Sequence, residues 1–545
     1  MTRTRAIATA LIAASAAIAL TGAEPEFSAE RFKAHVTFLA DDLLEGRETG
    51  TRGHEIAARY IAAQFALLGV KPAGQNGGYF EKVDFIEAAL TGPNATLKIT
   101  TPRGAHTLTH KGASVILGSF TGGSVNVSAP LVFVGYGMDD PTLGYDDYAN
   151  IDVRGKIAVM LFGSPKGMDS EIGAHLQAEQ RRVAADHGAL GLVHIQTRVG
   201  SAAFPWAKVV EFASDPRTTW ARSDGTPFDP AGGLEASAYI DPAAAPPLFD
   251  GAPQSLTEVL DEADKPGGRP KGFALKSRAE IVATTKVRRF SSPDVIGVIE
   301  GSDPALKREY VALMGHADHI GIKPEGTGDR INNGALDNAA GVATLIEVAS
   351  AFANGARPRR SILVIANTGE EKGLLGAEYF AHYPTVPIDK VTAAIDLDMP
   401  LLLYDFTDVV AYGASHSTLE DAFVKAGAAM SVKLSPDPMP EQAIFVRSDH
   451  YTMVKVGVPA VMLATGMANG GDSAWKKYLA DNYHQPSDDV SQPIVWASGA
   501  KFAELNYRVV RTLADQDRRA QWYAKDYFGD LFAPKAPKAT RPAGR

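Results

Sequence analysis

The stretch YVALMGHADHIG, residues 310–321, guides the interpretation of the rest of the chain. Its first part, residues 310–314, is a short apolar run typical of a buried strand. Its second part places His316, Asp318 and His319 directly after that strand. A single histidine at a strand end is usually an ordinary polar residue. The stretch therefore indicates a functional site only if similar side chains follow other strands.

Strand-like and helix-like runs alternate from residue 291 onward. The strand-like runs are residues 309–315, 361–367, 392–398, 408–412 and 459–464, and the helix-like runs are residues 338–353, 373–382, 417–427 and 492–514. This alternation predicts an α/β fold with helices on both faces of a sheet. In open sheets of this kind, sites form where the strands reach their carboxyl ends.

The remainder of the chain has a different texture. Residues 27 to about 70 show the apolar spacing of amphipathic helices. From 106 to 290, short strand-like runs alternate with turn-rich and Pro-, Gly- and Ala-rich segments. We interpret 106–290 as an inserted domain of β or α/β character. A length of 545 residues predicts two domains and leaves three possible. The Pro- and Ala-rich segment 533–545 is predicted to be a disordered tail.

The amino terminus resembles a secretory signal. A short basic start precedes an apolar stretch of Ala, Ile and Leu and then small residues, so residues 1–23 are predicted to be a cleaved signal peptide. We therefore expect a periplasmic or secreted protein without stable membrane insertion after cleavage. The chain has no cysteine, and its net charge of -9 argues against a nucleic-acid partner.

Acidic and imidazole side chains follow the strands of the α/β region. Asp337 precedes a helix, where it or Asn338 could simply be the N-cap. Glu370 and Glu371 follow the strand at 361–367, as a solvated helix start or as a general base beside a metal ligand. The remaining candidates are Asp396, Asp398 and His484. Residues two apart on a strand share a face, so spacing does not choose between Asp396 and Asp398.

This donor set matches a particular metal chemistry. Two histidines and three or more carboxylates, with no thiolate in the chain, suit Zn²⁺, with Mn²⁺ or Co²⁺ as substitutes. One ion needs three protein ligands and an open position. Five ligands with one shared carboxylate suffice for two ions about 3.5–4 Å apart.

Six stretches in order resemble one known family. They are GHADHIG, NNGALDNAAGVATLIEVA, NTGEEKGLLGAEYF, AAIDLDMP, RSDHYTMVKVGVPAVML and YHQPSDD, and they cover most of residues 309–490. They are similar to the co-catalytic zinc exopeptidases, which include leucyl and vacuolar-type aminopeptidases, glutamate carboxypeptidase, glutaminyl cyclase and the transferrin receptor. The resemblance implies a zinc aminopeptidase-like fold, also described as phosphorylase/hydrolase-like, with a mixed sheet flanked by helices.

The resemblance also implies a role for each matched residue. His316 would bind one metal, and Asp337 would bridge two zinc ions. Glu370 would be the catalytic base, and Asp318 would orient the first histidine. The remaining implied ligands are Glu371, Asp398 in preference to Asp396, and His484.

The family pattern extends into the rest of the chain. APLVFVGYG, YANIDVRGKIAVMLF and AADHGALGLVHI resemble a protease-associated domain, which in this family interrupts the peptidase domain. The peptidase domain is therefore expected to be discontinuous, at 27–105 plus 291–525.

We expect this protein to hydrolyse a terminal peptide bond of a peptide substrate, and we favour an aminopeptidase. A carboxypeptidase or dipeptidase is the main alternative, with Arg447 as a basic group for a terminal carboxylate. Glutaminyl cyclase and an inactive receptor-like protein are rivals that lack the full ligand set. His450 matches a segment near the substrate pocket without being a ligand, and Tyr483 could polarise the substrate carbonyl.

Other histidines, namely His319, His382 and His416, are interpreted as surface or structural residues. The sequence leaves open whether the protein forms a homodimer.

Overall fold

The computed structural model describes residues 25–92, 94–212 and 215–542 of the chain. The predicted signal peptide at 1–23 lies outside the described residues, so the structure does not bear on it.

Helices and strands alternate through most of the described residues. The α-helices are α1 Ala29–Leu39, α2 Arg52–Leu67, α3 Ser170–Asp186, α4 Arg198–Ala203, α5 Trp206–Phe212, α6 Leu256–Ala263, α7 Ala340–Asn354, α8 Leu375–His382, α9 Leu419–Ala429, α10 His450–Lys455, α11 Gly471–Asp481, α12 Trp496–Asp515 and α13 Tyr527–Phe532. The strands are β1 Lys71–Pro72, β2 Phe80–Leu90, β3 Thr96–Thr101, β4 Gly104–Thr109, β5 Ser114–Ile116, β6 Gly123–Phe133, β7 Asp139–Asp140, β8 Tyr145–Asp146, β9 Ile157–Phe162, β10 Gly191–Gln196, β11 Arg217–Trp220, β12 Ala236–Ile240, β13 Phe273–Ile299, β14 Tyr310–His316, β15 Ser361–Asn367, β16 Val391–Asp396, β17 Asp408–Tyr412, β18 Lys433–Ser435 and β19 Ala460–Thr465.

A mixed sheet forms the centre of the α/β region. Strand β14 pairs in parallel with β15 and β16, and β16 pairs in parallel with β19. Strands β13 and β17 add antiparallel pairings to β15 and β19. The predicted α/β fold with a mixed sheet flanked by helices is confirmed.

The central strands are apolar along their whole length because helices cover both faces of the sheet. Every residue of β15 and of β19 is buried. Helices α1, α7 and α12 pack together, and α7 and α12 also contact β14. The stretch Ala335–Asn354 has the length and composition of a membrane span but is almost entirely buried, as a core helix is.

Strand β13 links two hydrophobic cores. Its carboxyl end pairs with β15, whereas its amino-terminal half pairs with β6 and β3. Apolar side chains of residues 95–283 form a core separate from the one around β14 and β15. Strands β6, β9, β10 and β12 are parallel neighbours within the predicted insert. The boundaries of the discontinuous peptidase domain and the insert's identity as a protease-associated domain stay predictions.

The carboxyl-terminal segment differs from the disordered tail predicted at 533–545. The described part, 533–542, packs back on the protein: the Ala539 N–H donates to Trp522 O at 2.8 Å. Arg541 also donates to Ser415 O at 2.7 Å. The Pro- and Lys/Arg-rich composition suggested too little apolar surface for order, but backbone hydrogen bonds and long cationic side chains anchor the segment instead.

Candidate metal centre

His316 lies at the carboxyl end of β14, facing carboxylates from two other elements. It is the last residue of the strand and is buried. Its Nδ1 is 3.1 Å from the main-chain oxygen of Asp318, which fixes the orientation of the ring. Its Nε2 lies 3.2 Å from Asp398 Oδ1 and 3.4 Å from Asp337 Oδ1.

Asp337 lies between this group and a second one. Its Oδ2 is 3.4 Å from His484 Nε2, which is itself 3.2 Å from Glu371 Oε2. Asp337 does not take the N-cap role that the sequence left open, because Asn338 accepts the Gly341 N–H at 3.1 Å near the start of α7.

The loop that carries Asp337 is held by a buried acid that the sequence interpretation missed. Asp488 Oδ2 accepts the Asp337 N–H at 3.0 Å, and Asp488 also accepts the Leu336 N–H and the Tyr478 hydroxyl. Its place in the quoted YHQPSDD stretch, four residues after His484, was a signal that could have identified it.

Glu370 and Glu371 follow β15, and Asp318 holds their backbone. The Asp318 carboxylate accepts the Glu370 N–H at 3.2 Å, the Glu371 N–H at 3.4 Å and the Thr49 hydroxyl at 2.8 Å. The Asp318 carboxylate is farther from His316, with Oδ1 3.9 Å from Nδ1. Asp318 therefore orients His316 through its main-chain carbonyl, and its side chain orients the two glutamates.

Asp396 and Asp398 are distinguished by their surroundings. Asp396 ends β16 and turns away from the cluster, where its Oδ2 accepts the Ser448 hydroxyl at 2.7 Å and the His450 N–H at 3.1 Å. Asp398 lies two residues beyond, with Oδ1 against His316 and Oδ2 2.7 Å from the same Ser448 hydroxyl. Of the two carboxylates, Asp398 therefore faces the cluster.

The donors form two groups that share Asp337. One consists of His316, Asp398 and Asp337 Oδ1, and the other of His484, Glu371 and Asp337 Oδ2. Ligand atoms of His316, Asp337 and Glu371 all lie within 4.8 Å of one another. Nitrogen and oxygen donors arranged around a shared carboxylate suit a pair of divalent ions such as zinc. The donor set therefore fits the metal centre that the sequence predicts.

The carboxylates have strongly perturbed pKa values. Burial would raise the pKa of Asp337, but His316 and His484 outweigh it and hold the pKa well below its usual range. Likewise the pKa of Glu371 is lowered to about 2 against its burial, chiefly by His484 and His319. Burial raises the pKa of Glu370 well above its ordinary value, and repulsion by Glu371 and Asp398 adds to this despite the opposing charge of His316. The pKa of Glu370 is thus shifted in the opposite direction from those of Asp337 and Glu371.

His319 belongs to the site, although the sequence interpretation treated it as an ordinary residue. It is fully buried, and its Nδ1 lies 2.6 Å from Glu371 Oε1. The other oxygen of Glu371 faces His484, so His319 fixes which carboxylate oxygen is available. The only signal in the sequence that His319 belongs to the site was its position directly after Asp318.

The other singled-out side chains lie around the cluster or away from it. Tyr483 stacks on His484, with ring centroids 3.9 Å apart. His450 is buried with Nδ1 3.4 Å from Asp396 Oδ2, behind the cluster. His416 is the structural residue that the sequence allowed, because its two ring nitrogens lie 2.7 Å from carboxylate oxygens of Asp526 and Glu171. His382, by contrast, is exposed.

Comparisons with known proteins agree with this geometry. Residues 294–510 match the model of peptidase family M28. Over 107 residues, 19% of this chain, the sequence is 36% identical to a probable zinc metalloprotease of Pyrenophora teres f. teres (strain 0-1), of which the match covers 22%. It is 30% identical over 107 residues, again 19% of this chain, to a vacuolar membrane protease of Candida glabrata, of which it covers 10%. The matches thus span about a fifth or less of these relatives.

A solved structure supports the fold. The aminopeptidase from Aneurinibacillus sp. strain AM-1 superposes with a TM-score of 0.52 at 20% sequence identity, covering 91% of this chain and 96% of that one. At this identity the likeness concerns the fold alone. The sequence match and the shared fold fall on the region that carries His316, Asp337, Glu371, Asp398 and His484. Residues 294–510, which carry all five of these side chains, are therefore similar to peptidase family M28.

Proposed function

We propose that this protein is a zinc-dependent exopeptidase, and that it acts as an aminopeptidase. The observation that carries the proposal is that the two carboxylate oxygens of Asp337 face different histidines, each of which also lies against one further carboxylate. His316 and Asp398 would hold one zinc ion with Asp337, and His484 and Glu371 would hold the other. Bound zinc would supply Lewis-acid activation of the attacking water and of the scissile carbonyl.

The side chains around the metals would carry the proton and position the substrate. Glu370, held by Asp318 through its N–H, would take the proton of the attacking water and deliver it to the leaving amine. Tyr483, stacked on His484, would offer its hydroxyl to the oxygen of the scissile carbonyl.

We propose that the group recognised is a free amino terminus. The solved structure with the same fold is named an aminopeptidase, which supports the same choice.

A carboxypeptidase is the second candidate, supported by Arg447. This side chain is exposed, and within the described residues its hydrogen bonds are two 3.4 Å contacts with Gln442, which leave it available to a terminal carboxylate. Glutaminyl cyclase and an inactive receptor are less compatible with five donors around two metal positions. A stoichiometry near one zinc per chain would favour cyclisation, and inactivity after zinc addition would favour the receptor.

The decisive experiment combines substrate choice with metal analysis. The purified protein is expected to hydrolyse Leu-p-nitroanilide in preference to an N-blocked acidic dipeptide and to lose activity with a chelator. Glu370→Gln should retain about two zinc ions per chain and lose turnover by about 10²–10⁴-fold, the usual contribution of a general base. A Glu370→Gln variant that lacked zinc, or that kept its activity, would refute this assignment.

Three further proposals concern the whole chain. We propose that 27–105 and 291–525 form one peptidase domain, and that the insert at 106–290 limits substrate size. Deleting the insert without changing the range of accepted peptide lengths would contradict the second point. We also propose export to the periplasm or medium. Fractionation and amino-terminal sequencing of the mature protein would test this, with a cut expected near residue 23.

A further inference from the structure

Arg47 is a fully buried cation beside the candidate metal centre, and it has no role in the chemistry proposed above. It belongs to the stretch GRETG, residues 46–50, which joins α1 to α2. The side chain of Arg47 is 1% exposed. A buried guanidinium is costly unless its donors are satisfied, so its partners indicate what it does.

All the hydrogen bonds of this guanidinium in the described residues go to main-chain carbonyls of three segments. Nε donates to Ala317 O at 3.1 Å, between His316 and Asp318. Nη1 donates to Asn333 O at 2.6 Å, and Nη2 to Gly334 O at 3.0 Å, in the loop that leads to Asp337. Nη1 also donates to Leu39 O at the end of α1. One side chain thus joins the strand end of the first predicted ligand to the loop of the shared one.

The backbone of the GRETG stretch is shaped for this contact. Gly46 and Arg47 have φ angles of 70° and 49°, a region that a non-glycine residue adopts only when its surroundings enforce it. A Cβ at Gly46 would lie 2.6 Å from Asn332 O, so glycine is required for the close approach. The Arg47 carbonyl also accepts the His319 N–H at 3.2 Å.

The charge of Arg47 also suits this place. Its charged neighbours are Asp488, Asp318, Asp337 and Glu371, none of which bonds to it directly. A fixed positive charge among these acids reduces their mutual repulsion when no metal is bound, and it does so without occupying a ligand oxygen.

We propose that Arg47 is a positioning residue of the metal centre, which sets the separation between His316 and Asp337 through main-chain carbonyls. The inference rests on the proposed function, because it takes these two residues to be zinc ligands. Lysine cannot replace arginine in this role, since one ammonium group cannot span the three segments that a planar guanidinium reaches.

Zinc affinity of the full chain, measured by competition with a fluorescent chelator, tests the proposal. Arg47→Lys and Arg47→Met are each expected to weaken zinc binding by about 10–100-fold, as loss of a residue that orients metal ligands does. At saturating zinc, kcat for Leu-p-nitroanilide should fall in both variants while KM changes little. If Arg47→Met does not fold, Arg47→Lys, which keeps the charge and most of the volume, decides the question.

Arg360 provides a matched control. It is also 1% exposed, and it donates to the carbonyls of Leu513, Gln516 and Asp517 as well as to Glu309. It precedes β15 at the amino end of the sheet, about 20 Å from the site along the strand. Arg360→Met is expected to lower the melting temperature and leave zinc affinity unchanged.

The outcomes separate this inference from the proposed function. Wild-type zinc affinity in both Arg47 variants, or an equal loss of affinity in Arg360→Met, would overturn the role of Arg47 and leave the enzyme intact. A wild-type protein that binds no zinc would instead refute the proposed function.

Discussion

The pH dependence of stability should reveal a buried carboxyl pair beside the loop that carries Glu370. Glu81 on β2 and Asp294 on β13 are directly opposite each other across the antiparallel strands. Both are buried, with 1% and 0% exposure, and each has one oxygen without a hydrogen-bond partner in the described residues. Asp294 Oδ1 accepts the Thr368 N–H at 2.7 Å, two residues before Glu370. The pair therefore supports the loop that carries the proposed base.

The size of the pH effect on stability follows from the burial of these two carboxyl groups without a cationic partner. Burial raises the pKa of Glu81 from 4.5 to about 8, and the neighbouring Asp294 has a raised pKa for the same reason. A pKa raised on folding contributes stability that is fully present below the unfolded value and is lost as the pH rises through the folded one. Between pH 6 and pH 9 this loss amounts to roughly 2–3 kcal/mol for Glu81.

Glu81→Gln should remove this loss. Gln stays neutral at every pH and its amide can donate to Asp294. We expect the variant to gain roughly 2–3 kcal/mol relative to wild type between pH 6 and pH 9, seen as a growing difference in melting temperature. Glu87→Gln on the same strand is the control, because Arg288 binds that carboxylate at 2.7 Å and no such gain should follow. Parallel loss of stability in Glu81→Gln and wild type between these pH values would refute the reasoning.

Three other predictions concern the site and its surroundings. Asp337→Asn removes the anionic side chain that we propose both zinc ions share, and it should lower zinc content from about two ions to one or none per chain, measured by elemental analysis. Unchanged zinc content would contradict the proposal that Asp337 is shared. His319→Ala should weaken zinc binding by about tenfold, because Glu371 loses its 2.6 Å partner, whereas His382→Ala on the surface should bind zinc normally. Burial alone would lower the pKa of His416, but its carboxylate partners raise it to about 9, so its stabilisation is complete below pH 6.5 and lost as the pH rises through 9. Wild type should therefore exceed His416→Gln in melting temperature at pH 7 and lose that advantage by pH 10, and a constant difference would exclude the ion pairs.

Local patterns were sufficient to predict the α/β core. The apolar run before His316 forms a strand at 310–316, and the run at 361–367 forms a strand with those bounds. Such strands are recognisable because burial on both faces leaves no polar position in the run. The 27-residue strand β13 was missed, because its alternating charged residues and Pro293 resemble irregular structure, and its order comes from pairing with β2, β3, β6 and β15.

The sequence by itself determined at which strand ends the candidate metal-binding side chains occur. Residues close together along the chain set the periodicity of a strand and the point at which a helix begins. Strand spacing could not decide between Asp396 and Asp398, which only the family resemblance separated, and it did not reveal the roles of His319 and Arg47. Asp398 lies beyond the end of β16, where the two-residue period no longer applies, and its direction follows from contacts with His316 and Ser448. Arg47 meets Asn333 across 286 positions of sequence. Only tertiary structure decides such contacts, because residues this distant become neighbours only when several independently formed elements pack together.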